Sequence, residues 1–253
     1  MNYVIAIDLD ETLLDSKKKV SQFTIDILKE YKDKGNIVVV SSARGYGSCK
    51  DVAQLISADY VCCQSGNMIV DNKGNVIYEN GFPKDELGRF LDLARKNTNN
   101  IVVDSDTNLY GGIDDDFARS WGIIHCETEE LYSKKVYKMC VFYDDSYKQV
   151  LENYCKEHNY VCREMRGMNF LLITPPNSDK FYALEKLLPI VNSNLEHLIV
   201  FGDDTSDLLS IEKAKYGVAV ANAKEAVLKV AKQITKSNDE DGVAYYLKNM
   251  FHI

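Results

Sequence analysis

Long apolar runs are missing from this chain of 253 residues. No stretch approaches the ~18 uncharged apolar residues of a membrane helix. The first apolar run, Tyr3 to Ile7, already ends at Asp8. No basic region followed by an apolar run and a small-residue cleavage site opens the sequence, so the chain is expected to stay in the cytoplasm. Cysteine offers no framework. The 7 Cys are odd in number, Cys62–Cys63 is the only close pair, and there is neither a Cys-x-x-Cys nor a Cys/His cluster at zinc spacing. They read as small buried hydrophobes in a reducing compartment. Basic charge is in deficit: 30 Lys+Arg face 38 Asp+Glu, for a formal net charge of −8. That argues against broad binding to nucleic acid or to an anionic membrane. Internal repeats and low-complexity tracts are absent as well. What remains, 45% hydrophobic and 27% charged residues, is the composition of a globular protein and excludes a disordered or fibrous one. A chain of this length buries roughly 70–75% of its unfolded surface and fits one or two domains.

Short apolar runs rich in β-branched residues recur at Tyr3–Ile7, Ile37–Val40, Tyr60–Cys63, Leu198–Phe201 and Gly217–Val220. Continuous runs without in/out alternation mark strands covered on both faces. Between them lie amphipathic segments: Ser21 to Tyr31 with Ser21 as cap, Lys180 to Leu188, and Ala223 to Ala231. Strands alternating with helices predict a parallel α/β sheet of Rossmann-like type. The middle of the chain breaks this rhythm. Asp85–Lys96 and Ser146–His158 read as helices. Ile101–Val103, Asn108–Ile113 and the alternating Val136–Tyr143 read as strands, and Tyr160–Met165 with Asn169–Thr174 as an antiparallel pair around Arg166-Gly167. Residues 82–176 are therefore expected to be an inserted α+β domain in a core of residues 1–81 and 177–253. Turn signals at Gly81-Phe82-Pro83 and Pro175-Pro176-Asn177-Ser178 mark its edges.

Polar residues gather at the ends of these strands. The first strand ends in Asp8-Leu9-Asp10-Glu11-Thr12, the second in Ser41-Ser42-Ala43-Arg44, and a late one in Gly202-Asp203-Asp204-Thr205-Ser206-Asp207. Asp, Ser and Thr are also common loop and cap residues. Three such strand ends together favour a ligand crevice, which open parallel sheets form at their carboxyl edge. Asp8 and Asp10 are two apart, so strand alternation points both to one side. Crowded carboxylates disfavour each other's ionisation unless a cation sits among them. With Asp203 they make an oxygen-rich, sulfur-free set suited to a hard cation such as Mg²⁺. Lys180, Arg44, Ser42 and the backbone N–H groups of the Asp10–Thr12 loop are candidate partners for an anionic substrate. Elsewhere, His125, His158, His197 and His252 lack ligand spacing, Trp121 reads as core, and Asp114–Asp116 and Lys17–Lys19 read as solvated turns.

Asp8-Leu9-Asp10-Glu11-Thr12 resembles the Asp-x-Asp-x-Thr signature of the haloacid dehalogenase superfamily of phosphotransferases. Ser42 sits where the second motif has Thr or Ser, Lys180 resembles the third-motif Lys, and Gly202-Asp203-x-x-x-Asp207 resembles the fourth motif. Asp10-Glu11-Thr12-Leu13-Leu14 and Asn238-Asp239-Glu240-Asp241-Gly242-Val243-Ala244 are similar to the Cof-type branch (subfamily IIB), whose C2-type cap lies between the second and third motifs. Departures are Ser42-Ala43-Arg44 for Thr-Gly-Arg, Ser65-Gly66-Asn67 for Asn-Gly-Ala, and Asp204 and Ser206 for Gly and Asn in the fourth motif. The resemblance implies a Mg²⁺-dependent phosphatase of small phosphorylated metabolites, sugar phosphates above all, working through an aspartyl-phosphate. The alternatives are a phosphomutase or a non-catalytic metabolite sensor. It implies Asp8 as nucleophile and Asp10 as general acid and base. Metal would lie at Asp8, Asp10 (through its carbonyl oxygen), Asp203 and Asp207, and the phosphate at Thr12, Ser42, Arg44 and Lys180. Arg163, Arg166 and Asn169 of the cap are expected to contact the rest of the substrate, and a monomer or weak dimer is expected.

Overall fold

The computed structural model describes residues 2–98, 100–105, 108–112, 115–143, 145–165 and 169–253. In chain order, β1 (Val4–Ile7), α1 (Gln22–Asp33), β2 (Ile37–Ser41), α2 (Tyr46–Leu55), β3 (Tyr60–Cys63), β4 (Met68–Asp71) and β5 (Val76–Glu79) come first. Then follow α3 (Lys84–Arg95), β6 (Ile101–Ser105), β7 (Leu109–Gly111), α4 (Asp116–Trp121), β8 (Ile124–His125), α5 (Thr128–Leu131), β9 (Val136–Phe142), α6 (Asp145–Glu157), β10 (Val161–Met165) and β11 (Phe170–Thr174). Last come α7 (Lys180–Ile190), β12 (Leu198–Gly202), α8 (Leu208–Lys213), β13 (Tyr216–Ala219), α9 (Glu225–Val230), β14 (Gln233–Ile234) and α10 (Gly242–Phe251). The first and last groups make one compact unit, up to Glu79 and from Asp179 onward, and Asn80–Ser178 make a second.

The described residues of the first unit form a sheet in the order β14-β13-β12-β1-β2-β3-β4-β5. Pairing is parallel from β14 to β3. The sheet is not parallel throughout, because β4 and β5 add an antiparallel edge. Asp71 organises the β4–β5 turn by accepting from the backbone N–H groups of Lys73 and Asn75, which makes a tight hairpin cheaper than a crossover. Strands β1 and β12 pair at the centre, and Val4–Ile7 and Leu198–Phe201 are essentially buried throughout, as runs of apolar residues between two helical layers must be. Helix α1 starts where Ser21 caps it, its hydroxyl oxygen accepting from the Thr24 N–H at 3.0 Å. That replaces one of the partners missing in a first helical turn. Ile27, Leu28 and Tyr31 bury the inner face of α1.

In the second unit the sheet order is β10-β11-β9-β6-β7-β8. The pairs β10–β11, β11–β9, β6–β9 and β6–β7 are antiparallel, and β7–β8 is parallel. Strand β9 alternates: Met139 and Val141 pack with Leu87, Phe90 and Leu91 of α3 and Leu151 of α6. Lys138, Cys140 and Phe142 point to the opposite face, as a two-residue period requires. Of the described part of the Asn108–Ile113 segment only Leu109–Gly111 is strand, and Ile113 lies outside the described residues. Among the described residues no helix is long and apolar enough to cross a membrane. The seven cysteines are free thiols.

Candidate active site

Parallel β1 and β12 run side by side, so the residues following them emerge together. Asp8 follows β1, and its backbone N–H still bonds the Phe201 carbonyl at 3.1 Å. Asp203 follows β12. Asp207 returns one turn later, its Oδ2 accepting from the N–H groups of Asp203 and Asp204 at 3.3 and 3.2 Å. Lys180 opens α7 and is buried. Its ammonium bridges Asp8 Oδ1 at 2.7 Å and Asp207 Oδ1 at 2.8 Å. Among the described residues, Asp8, Asp203 and Asp207 each bring a carboxylate oxygen within 4.8 Å of the others.

Three buried carboxylates share one ammonium, which leaves two negative charges uncompensated. Burial raises Asp8 to about 7, against the pull of Lys180 and with the push of Asp207. Burial likewise raises Asp203 to about 6, although the Thr12 hydroxyl donates to its Oδ1 at 2.9 Å. Lys180 is held above its ordinary value: burial works against its charge, but Asp8 and Asp207 outweigh it. An all-oxygen set lacking two positive charges fits a hard divalent cation.

Asp10 lies apart from this trio and is half-exposed. The Arg44 guanidinium forks onto it, Nε to Oδ2 at 2.8 Å and Nη2 to Oδ1 at 2.6 Å, and Lys18 adds a bond to Oδ1 at 3.2 Å. Burial works to raise the Asp10 carboxyl, but the bonds from Arg44 and Lys18 hold it below its ordinary value. Lys17–Lys19 form an exposed turn, as read, but within it Lys18 also reaches Glu11 at 2.9 Å. The backbone at Lys18 is left-handed, φ 60°. Thr12 is buried and engaged with Asp203. Ser42 is buried, and its Oγ accepts from the Arg44 backbone N–H at 3.2 Å, which leaves its own O–H as a donor. The extra acid Asp204 is paired with Lys224 at 2.6 Å, so its charge is balanced locally.

Two glycines fix this arrangement. After β3 the backbone is left-handed at Gln64, Ser65 and Gly66 in succession. A Cβ on Gly66 would stand 2.1 Å from the Asp179 carbonyl oxygen, so that loop is clamped against the start of α7, one residue from Lys180. A Cβ on Gly202 would stand 2.4 Å from Asp207 Cγ. Neither clamp shows in the sequence beyond the glycine itself.

In the second unit Arg163 is exposed on β10, on the sheet face away from α3 and α6, and Asn169 is exposed with φ 50° before β11. Arg166 lies outside the described residues, as does Asp114 of the Asp114–Asp116 turn. Asp115 caps α4 by accepting from the Ala118 N–H at 2.8 Å. Trp121 is not core: it is 43% exposed. The six-residue α4 covers too little of its sheet face, and Trp121 edges an apolar recess with Val102, Cys140, Phe142 and Phe170.

A family model for haloacid dehalogenase-like hydrolases matches residues 5–247. The 5-amino-6-(5-phospho-D-ribitylamino)uracil phosphatase YcsE of Bacillus subtilis (strain 168) is 26% identical over 247 residues, covering 97% of this chain and 94% of that protein. A haloacid dehalogenase-like hydrolase from Bacteroides thetaiotaomicron superposes with a TM-score of 0.83 at 26% identity, over 99% of this chain and 100% of that one. A HAD subclass IIB sugar phosphatase shares the fold, with a TM-score of 0.79 at 20% identity and 100% coverage of both chains. Carboxylates around a buried lysine at the ends of parallel strands, with these relatives, define a phosphoric monoester hydrolase. The chain belongs to the haloacid dehalogenase-like hydrolases, in their Cof-type branch.

Proposed function

We propose that this chain is a Mg²⁺-dependent phosphatase of small phosphorylated metabolites, sugar phosphates foremost, acting through an aspartyl-phosphate on Asp8. The observation that carries the reading is the buried Lys180 bridging Asp8 and Asp207 beside Asp203, a cluster short of two positive charges. Asp8, Asp203, Asp207 and the carbonyl oxygen of Asp10 would hold the metal. When bound, Mg²⁺ offsets charge between the carboxylates and an anionic substrate. The relative named for a phosphorylated ribitylamino-uracil and the neighbour named a sugar phosphatase support a small phosphorylated substrate.

In the proposed reaction an Asp8 carboxylate oxygen bonds to phosphorus while the ester P–O bond breaks, and the departing alcohol takes a proton from Asp10. Asp10 then takes a proton from water, whose oxygen bonds to phosphorus and frees Asp8 and inorganic phosphate. Lys180 spends two of its three N–H donors on Asp8 and Asp207, so the third serves a phosphoryl oxygen. The Ser42 hydroxyl serves another. Catalysis is then mostly placement and charge stabilisation.

The test is release of inorganic phosphate from a panel of phosphorylated metabolites, with and without Mg²⁺, by the wild type and by Asp8→Asn. The wild type is expected to turn over only with the metal. Asp8→Asn is expected to fold, to bind and to show no phosphoenzyme. Full activity in excess chelator, or a phosphoenzyme in the variant, would sink the reading.

A further inference from the structure

The sequence reading puts Arg44 on the substrate phosphate, but three of the five N–H donors of its guanidinium are engaged elsewhere. Nε and Nη2 both bond Asp10, and Nη1 donates to the Ser48 carbonyl in the first turn of α2 at 3.3 Å. The group is a planar bracket between the loop after β1 and the start of α2. A carboxylate offers about four acceptor positions. On Asp10 the fork takes one on each oxygen and Lys18 takes a second on Oδ1, so one position remains open, on Oδ2. A side chain held by two parallel bonds has a fixed plane as well as a fixed place.

We propose that Arg44 is a positioning residue for Asp10, bracketing its carboxyl so that Oδ2 keeps the one open position for the proton in transfer. The inference rests on the reading of Asp10 as the proton-transfer group. Lysine cannot replace the bracket, because a single ammonium lacks the fork that matches a carboxylate.

A phosphate contact and a bracket separate by leaving group. An alkyl phosphate needs its leaving oxygen protonated, whereas 4-nitrophenolate departs unaided. The experiment measures kcat/KM for glycerol phosphate and for 4-nitrophenyl phosphate in wild type, Arg44→Gln, Arg44→Lys and Asp10→Asn. Arg44 is 31% exposed, so the substitutions spare the core, and melting temperatures verify that they do. Arg44→Gln is expected to lose about tenfold or more with the alkyl ester, the scale of a misplaced catalytic group, and under about threefold with the aryl ester. Arg44→Lys should behave as Gln does, and Asp10→Asn should show the same split more strongly. Equal losses with both esters would make Arg44 a phosphate contact and overturn the proposal. No loss with either ester, or full rescue by lysine, would overturn it as well. If Asp10→Asn shows no split, the proton-transfer reading of Asp10 falls, and the bracket falls with it.

Discussion

At the scale of single residues, the site depends on one buried cation. Lys180 is the counter-charge of two buried carboxylates, and removing one partner of a buried ionic cluster leaves the others uncompensated. Lys180→Met is therefore expected to lower the unfolding free energy of the metal-free protein by about 3–5 kcal/mol at pH 8. At pH 5 the cost should shrink, because Asp8 and Asp203, raised to about 7 and about 6, then carry protons. Urea denaturation at both pH values measures it, and an equal cost at both would refute the charge argument. Asp8 and Asp203 were legible in the sequence because each follows a buried apolar run, and parallel strands bring their ends together. Strand alternation failed to place Asp10 with them, because β1 ends at Ile7 and Asp10 lies in the turn that follows, on Arg44. The pairings of Lys18 with Asp10 and of Lys224 with Asp204 were not legible. They depend on where loops turn, and the left-handed residue at Lys18 leaves no periodic trace.

At the scale of elements, strands such as β1 and β12 announce themselves because both faces are covered and every position must be apolar. Helix α2 does not, since only Cys49 and Ala53 of its ten residues are buried and its Gly-Ser start reads as loop. Strand β5 is equally obscure: Val76 and Ile77 are 50% and 37% exposed, so burial imposes no pattern on it. The loop after β3 shows how one element positions another. Gly66→Ala would combine a φ of +88° with a Cβ against the Asp179 carbonyl oxygen. Relief requires α7 to retreat, which moves Lys180. The expected result is a loss of about 2 kcal/mol or more of stability together with loss of phosphatase activity. Wild-type turnover in a purified Gly66→Ala protein would show that the clamp does not place Lys180.

At the scale of the whole molecule, pH and metal are linked. A carboxyl whose folded pKa is raised favours folding at low pH, and that advantage is lost as pH climbs through the folded value. Asp8 and Asp203, at about 7 and about 6, lose theirs between pH 5 and 8. Carboxyls held below their ordinary value, such as Asp10, have finished titrating by then and cannot mask the change. Metal-free protein should thus melt lower at pH 8 than at pH 5, by roughly 5 °C, and saturating Mg²⁺ should remove most of the difference. A melting temperature that rises over this interval without metal would contradict the assignment. Discrimination among substrates is a separate matter, which we assign to the inserted unit. Arg163→Ala and Asn169→Ala are expected to change the kcat/KM ratio between two sugar phosphates by about tenfold and to leave a small aryl phosphate nearly untouched. An unchanged ranking would clear both residues of that role.

The sheet order of the first unit also bears on how the enzyme comes into being. The inserted unit is contiguous in the chain, so a growing polypeptide can complete it while still attached to the ribosome, and domains generally fold as units during synthesis. The other unit cannot close at that stage. Its central strand β1 needs β12 as a neighbour, and Thr12 must wait for Asp203, 191 residues further along. A nascent chain stopped between α7 and β12 carries Asp8, Asp10 and even Lys180 but has no assembled site. The phosphatase is thus born inert and becomes competent only once β12 and the Asp203–Asp207 turn have been made.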